Sequence, residues 1–121
     1  MTKRKYPKWM GKMRALTKKE IKEFLAGAVV ARLATVKPDG SPYVVPVWQH
    51  YDGKAVYIIP RAKSAFVKKI EHEPRVCISC ALDESPVTRV IFEGKAQILE
   101  GPAPLKGRML RIARSMAKRY L

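Results

Sequence analysis

Arg61, Lys63 and Ser64 fall within four residues of one another, directly after the apolar run Ile58-Ile59-Pro60. Two cations and a hydroxyl at that spacing suit an oxyanion, and a phosphate above all. Ser64 also opens a stretch, Ala65 to Ile70, with a helical apolar pattern, and serine is a favoured residue for capping a helix start. A helix N-terminus offers free backbone N–H groups and the positive end of the helix dipole. The spacing predicts an anion seat where a strand hands the chain to a short helix.

Other chemistry is thinly represented. Cys77 and Cys80 form a C-x-x-C, but they sit in Arg75-Val76-Cys77-Ile78-Ser79-Cys80-Ala81-Leu82, which reads as a strand. Residues three apart on a strand point to opposite faces, so the pair neither bridges nor shares a metal. They are expected to be buried structural cysteines. His50 and His72 stand in separate elements. No Ser/His/Asp, Cys/His or paired-carboxylate arrangement suggests a catalytic residue, and no ligand set suggests a metal.

The elements that must position the anion seat follow from the apolar pattern. Thr17-Lys18-Lys19-Glu20 fits a capping box. Ile21, Phe24, Leu25 and Ala28 continue it as an amphipathic helix, with Gly27 as the expected stop. Val29 to Val36 reads as a strand, and Lys37-Pro38-Asp39-Gly40 as a turn. The strand from Pro42 to Tyr51 is apolar on both faces around Pro46 and Trp48. Pro46 donates no hydrogen bond, so it belongs at an edge or a bulge. Such a strand is either ordinary core or one whose backbone meets a flat ligand.

Asp52-Gly53 predicts a two-residue hairpin turn, and Lys54 to Pro60 a third strand. Helix Ser64–His72 ends at Glu73-Pro74. Arg75 to Leu82 is the fourth strand, and Asp83-Glu84-Ser85-Pro86 a turn. Thr88 to Leu99 is the fifth, with a bulge expected at Gly94. Pro102 and Pro104 open a last helix whose apolar face holds Met109, Ile112, Ala113, Met116 and Tyr120. Arg111, Arg114 and Lys118 lie off that face. Five strands with short helices argue for a mainly β fold, an antiparallel barrel or sandwich.

A chain of 121 residues with 47% hydrophobic residues builds one domain with a small core that would gain from dimerisation. Residues 1–16 are expected to form a basic N-terminal arm, and residues 17–121 the domain. The net charge is +15 and sits at the ends. Residues 1–19 carry eight cations and residues 106–121 carry six, with no acid in either stretch. Between them lie 11 cations and 10 acids, so the body is nearly neutral. Basic ends attract anions and can bind nucleic acid nonspecifically. No apolar run approaches the roughly 18–20 residues of a membrane helix, and no signal peptide is indicated. A cytoplasmic location is the expectation.

The order of segments resembles the pyridoxamine-5′-phosphate-oxidase-like, FMN-binding split-barrel family. The match is carried by Leu33-Ala34-Thr35-Val36, Pro38-Asp39-Gly40-Ser41-Pro42 and Val45-Pro46-Val47-Trp48. It continues through Pro60-Arg61-Ala62-Lys63-Ser64, Glu73-Pro74-Arg75-Val76 and Glu93-Gly94-Lys95-Ala96. It covers about Thr17 to Pro102. The resemblance implies an antiparallel split β-barrel, a homodimer and a flavin in each of two interface sites. By position, Val45, Pro46, Val47 and Trp48 would run their backbone past the isoalloxazine ring. Ile58 and Ile59 would line the site, and Pro60 would begin the turn in which Arg61, Lys63 and Ser64 hold the phosphate.

Two departures accompany the match. Many relatives reach the Glu-Pro-Arg-type segment about one helical turn sooner, so the register anchored on Pro60 to Ser64 implies one extra turn of helix. Counting back from Pro74 instead would put Phe66 at the lysine position. Relatives also usually return from the last helix with one more strand, whereas this sequence stops at Leu121. The implied function is an FMN-dependent oxidoreductase acting on a small molecule or electron donor, with the flavin supplying the chemistry. A deazaflavin-dependent reductase of the same fold is the alternative. A basic nucleic-acid-binding module is the reading from a different class, and steep salt dependence would reveal it.

Overall fold

The structure is a computed structural model that describes residues 15–60, 65–82, 87–99 and 106–121. The elements run α1 (Lys18–Leu25), β1 (Ala31–Val36), β2 (Pro42–Val47), β3 (His50–Tyr51), β4 (Val56–Tyr57), α2 (Ala65–His72), β5 (Arg75–Leu82), β6 (Thr88–Lys95) and α3 (Gly107–Tyr120). Four strands form one antiparallel sheet in the order β2-β1-β5-β6, and β3 and β4 form a separate ribbon. The mainly antiparallel architecture with few short helices agrees with the sequence reading. Most of the basic arm, the Asp83–Pro86 turn, Pro102 and Pro104 lie outside the described residues.

Local chemistry accounts for the start of α1. The Thr17 hydroxyl accepts from the Glu20 N–H at 3.2 Å, and the Thr17 N–H donates to the Glu20 carboxylate at 3.0 Å, completing the capping box. The helix ends at Leu25 with Ala26 as its C-cap in a right-handed conformation. Gly27 does not take a positive φ, so the expected glycine stop is not the one used. Ala28 lies exposed beyond the helix end rather than on its apolar stripe. The turn after β1 does use its glycine: Gly40 has φ 87°, and its N–H donates to the Lys37 carbonyl at 2.8 Å. Asp39 fixes this turn by accepting from the Ser41 N–H and hydroxyl. Those bonds, the hydroxyl's first, hold its carboxyl below the ordinary value.

One face of the sheet is the core. Leu25, Val29, Ala31, Leu33, Ile78 and Cys80 form the buried cluster, with Tyr43, Val45, Val47, Val76 and Phe92 packed around it. Successive side chains on a strand alternate faces, so the cross-strand rows Val44–Ala34–Cys77–Glu93 and Pro46–Arg32–Ser79–Ile91 lie on the opposite face, uncovered among the described residues. Val44 is 59% exposed there and Ile91 50%. Cys80 lies in the core, where burial pushes its thiol up to about 11. Cys77, on the other face, is only half-buried, so one of the two cysteines is not a core residue; both are free.

Three strand predictions are corrected. The long strand Pro42–Tyr51 breaks at Trp48-Gln49 into β2 and β3. The hairpin around Asp52-Gly53 has a four-residue loop, because His50 pairs with Tyr57 and Tyr51 with Val56. The Asp52 carboxylate accepts from the Lys54 and Ala55 N–H groups at 2.8 Å each. That side-chain turn replaces the two-residue one, and Gly53 takes φ 94° within it. The strand after the loop is accordingly short, Val56–Tyr57 rather than Lys54–Pro60. Finally, β6 ends at Lys95 and carries no bulge, since Gly94 pairs with Val76 in unbroken register. Its sheet pairing stops opposite Arg75, next to Pro74, whose carbonyl accepts the Ala96 N–H at 2.7 Å.

Candidate functional site

β2 is an outer strand of its sheet, so one edge of its backbone has no sheet partner among the described residues. This is where Pro46, lacking an N–H, is tolerated, and it matches the edge position expected of it. Val45 and Val47 are half-buried against the core, whereas Pro46 points outward opposite Arg32 and is exposed. Beyond β2 the chain leaves the sheet. Trp48 turns outward with 41% of its surface exposed. Gln49 is fully buried.

The break at Gln49 has a definite cause. Its N–H donates to the Tyr120 hydroxyl at 3.3 Å, and its carbonyl accepts from Arg119 Nη2 at 2.6 Å. Both backbone groups that a strand would use are therefore satisfied by consecutive residues of α3. The Gln49 side chain donates to the Leu25 carbonyl at 2.9 Å. Arg119 Nη1 also donates to the carbonyls of Leu25 (3.1 Å) and Gly27 (3.2 Å), and the Tyr120 hydroxyl donates to that of Val29 at 2.6 Å. Ile112 and Met116 are buried, while Arg111, Arg114 and Lys118 are exposed. The apolar face expected of this helix is the face it uses.

α3 also meets the β3–β4 ribbon at its other end. Arg108 Nη2 lies 2.7 Å from Asp52 Oδ2 and 2.7 Å from the Tyr57 hydroxyl. A cleft of about 300 Å³ opens there, lined by His50, Asp52, Arg108, Arg111 and Ile112. Asp52 is held down at about 2, first by the Ala55 and Lys54 N–H groups and then by Tyr57 and Arg108. Burial lowers the His50 pKa, Arg119 and Arg108 lower it further, and Asp52 opposes them. A carboxylate so depressed is a poor proton acceptor near neutrality. The cleft holds two guanidinium groups against one carboxylate, which Arg108 already engages, so its net character is cationic and suits an anion.

The residues expected at a cofactor site are only partly brought together. Val45, Pro46, Val47 and Trp48 form one continuous segment. Ile58 is half-buried against the core cluster, Ile59 is half-buried and Pro60 is exposed. Arg61, Lys63 and Ser64, the proposed phosphate seat, lie outside the described residues. The cleft residues His50, Arg108 and Arg111 were not visible as a group in the sequence. His50 read as isolated, and its arginine neighbours arrive from a helix 58 or more residues further on. Their i, i+3 spacing on one helix was the available signal. Among the described residues no group of three His, Cys, Asp or Glu could hold a metal, and no helix is long and apolar enough to cross a membrane.

Residues 17–120 match the family model described as pyridoxamine 5′-phosphate oxidase. The chain belongs to that family. Among solved structures it is similar to a conserved hypothetical protein, Rv2991, from Mycobacterium tuberculosis, with 30% identity, a TM-score of 0.65, and 76% of this chain and 61% of that one covered. It is also similar to an F420 reductase, at 26% identity and TM-score 0.59, covering 64% of this chain and 61% of the other. A FAD-binding protein from Mesorhizobium loti shares 27% identity at TM-score 0.62, covering 84% and 73% respectively. The chain thus spans about 61% of the length of the first two. No curated protein matches it.

Proposed function

We propose that this protein is a flavin-binding oxidoreductase-like protein that works as a homodimer. The observation that carries the reading is β2: an outer strand whose outer backbone edge has no sheet partner among the described residues, followed directly by a half-exposed Trp48, two residues before the cationic cleft. A planar ring can lie along such an edge and meet its backbone groups. In this reading Val45 to Trp48 run past the ring, Ile58 and Ile59 line it, and Pro60 leads into the turn where Arg61, Lys63 and Ser64 hold the phosphate. FMN is the proposed flavin, and it supplies the redox chemistry when bound. His50, Arg108 and Arg111 would take the anionic group of a small substrate. The opposite sheet face carries exposed Val44 and Ile91 beside Arg32 and Glu93, a mixed apolar and charged surface that a second copy would cover.

A deazaflavin-dependent reductase is the second reading. It is favoured by the similarity to an F420 reductase and by the cationic cleft, which would suit a polyanionic tail. The experiment is to purify the protein, record its visible spectrum, and titrate FMN and the deazaflavin in competition. Flavin absorbance or micromolar FMN binding supports the first reading; preferential deazaflavin binding supports the second. Absence of both rejects the class. Nonspecific nucleic-acid binding through the basic ends is a separate property, tested by salt-dependent gel shift with the ends deleted.

A further inference from the structure

Trp48 and Tyr120 are stacked, with ring centroids 5.0 Å apart and planes 5° from parallel. Tyr120 is itself fixed. Its hydroxyl donates to the Val29 carbonyl and accepts from the Gln49 N–H, and the Arg119 guanidinium lies 5.3 Å from its ring. Trp48 nonetheless keeps 41% of its surface exposed. The indole is thus anchored by a stacking partner while much of its surface stays open to solvent. A rigid flat side chain held in this way is a stacking surface for another ring. It adjoins Gln49, whose backbone N–H and carbonyl are both bonded by α3.

We infer that Trp48 is a docking plane for the flat ring of a bound heteroaromatic cofactor, and that Tyr120 is the positioning residue that holds the plane. The inference rests on the flavin reading above and adds two roles to it. The Trp48 side chain, and not only its backbone, contacts the ligand. Tyr120 acts through Trp48 by removing its rotamer freedom before the ligand arrives. Loss of one ring–ring contact should cost roughly three- to tenfold in affinity.

The test uses the full chain carrying Trp9→Phe, which leaves Trp48 as its only tryptophan. FMN is titrated while flavin absorbance, Trp48 emission and Trp48 anisotropy are followed, and thermal unfolding is measured alongside. Trp48→Leu should weaken FMN three- to tenfold without unfolding the protein. Tyr120→Leu should weaken it similarly and lower Trp48 anisotropy in the ligand-free protein. Tyr120→Phe keeps the ring and loses both hydroxyl bonds. It should unfold at a lower temperature yet bind FMN as the parent does, so that affinity follows the ring; a merely structural role would leave Tyr120→Leu and Tyr120→Phe binding FMN alike. If Trp48→Leu binds FMN within twofold of the parent, or if Tyr120→Phe loses as much affinity as Tyr120→Leu, the assignment is overturned. If the parent itself binds no FMN, the flavin reading fails and this one with it; the parent titration and the variant series therefore report the two failures separately.

Discussion

Arg108 and Asp52, 56 residues apart in sequence, meet at 2.7 Å and tie the first turn of α3 to the loop of the β3–β4 ribbon. The two ends of this contact are not equivalent. Arg108 makes a half-exposed ion pair and a bond to Tyr57, while Asp52 also holds two backbone N–H groups. Arg108→Ala should therefore cost about 0.2–1 kcal/mol, as exposed pairs do. Asp52→Ala should cost more, about 1–2 kcal/mol, because it also removes the two bonds to the Lys54 and Ala55 N–H groups that fix the loop. Urea denaturation of both variants checks the order; equal losses would contradict it.

The same cleft sets a pH dependence. His50 has a folded-state pKa below its ordinary 6.5 because burial and the Arg119 and Arg108 charges disfavour its proton. A depressed base binds fewer protons folded than unfolded, so stability is fully present above the unfolded pKa and declines as pH falls below it. His50→Gln should flatten that slope between about pH 6.5 and the lower folded value. An anion seated between Arg108 and Arg111 should raise the His50 pKa, which an NMR titration with added inorganic phosphate would record. Asp52 acts lower: its stabilisation is lost as pH falls from the ordinary carboxylate range through about 2.

Arg119 donates to three carbonyls outside its own helix, those of Leu25, Gly27 and Gln49, and to that of Ser115 within it. Arg119→Ala should destabilise by about 1.5–3 kcal/mol, the range for bonds to a charged donor. Arg119→Lys should recover only part of that, since an ammonium cannot reproduce the planar fork that spans three acceptors. Thermal and chemical unfolding of the two variants would test this, and a full rescue by lysine would refute the fork.

Cysteine labelling reports on the uncovered sheet face. Cys80 is buried with its thiol pushed up to about 11 and should resist iodoacetamide in the folded protein. Cys77 is half-buried on the face proposed to meet a second copy. Its labelling rate should fall as protein concentration rises, in step with a rise in mass by sedimentation. A concentration-independent rate in a monodisperse monomer would remove the homodimer.

The phosphate seat is tested by substitution. Arg61→Ala and Lys63→Ala should each weaken FMN binding by about 1–3 kcal/mol, as removal of a charge-assisted bond does. Isothermal titration against the parent is the measurement.

Much of the fold could be read from local signals. The capping box at Thr17 and Glu20, the Gly40 turn, the Arg75–Leu82 strand and the apolar face of α3 are each determined within a few residues, so short-range pattern reveals them. The corrections have two origins, one distant and one local. Gln49 lies in a run that reads as continuous strand, and it breaks only because Arg119 and Tyr120 claim its backbone from across the fold. Asp52-Gly53 carries a two-residue turn signal, yet the Asp52 carboxylate captures two N–H groups and widens the loop. The cationic cleft has no local signal for the same reason as the strand break. His50 and Arg108 have no sequence relation, and only the docking of α3 brings them together.

The bonds from Arg119 and Tyr120 to residues 25, 27, 29 and 49 span between 70 and 94 positions of sequence. During synthesis, Gln49 leaves the ribosome long before the side chains that complete its hydrogen bonding exist. Until they arrive, the backbone N–H and carbonyl of Gln49, between β2 and β3, lack these partners and are left to water. Docking of α3 is thus a late event with a long loop to form, and a nascent chain that stalls short of residue 119 lacks the bonds that fix the break between β2 and β3.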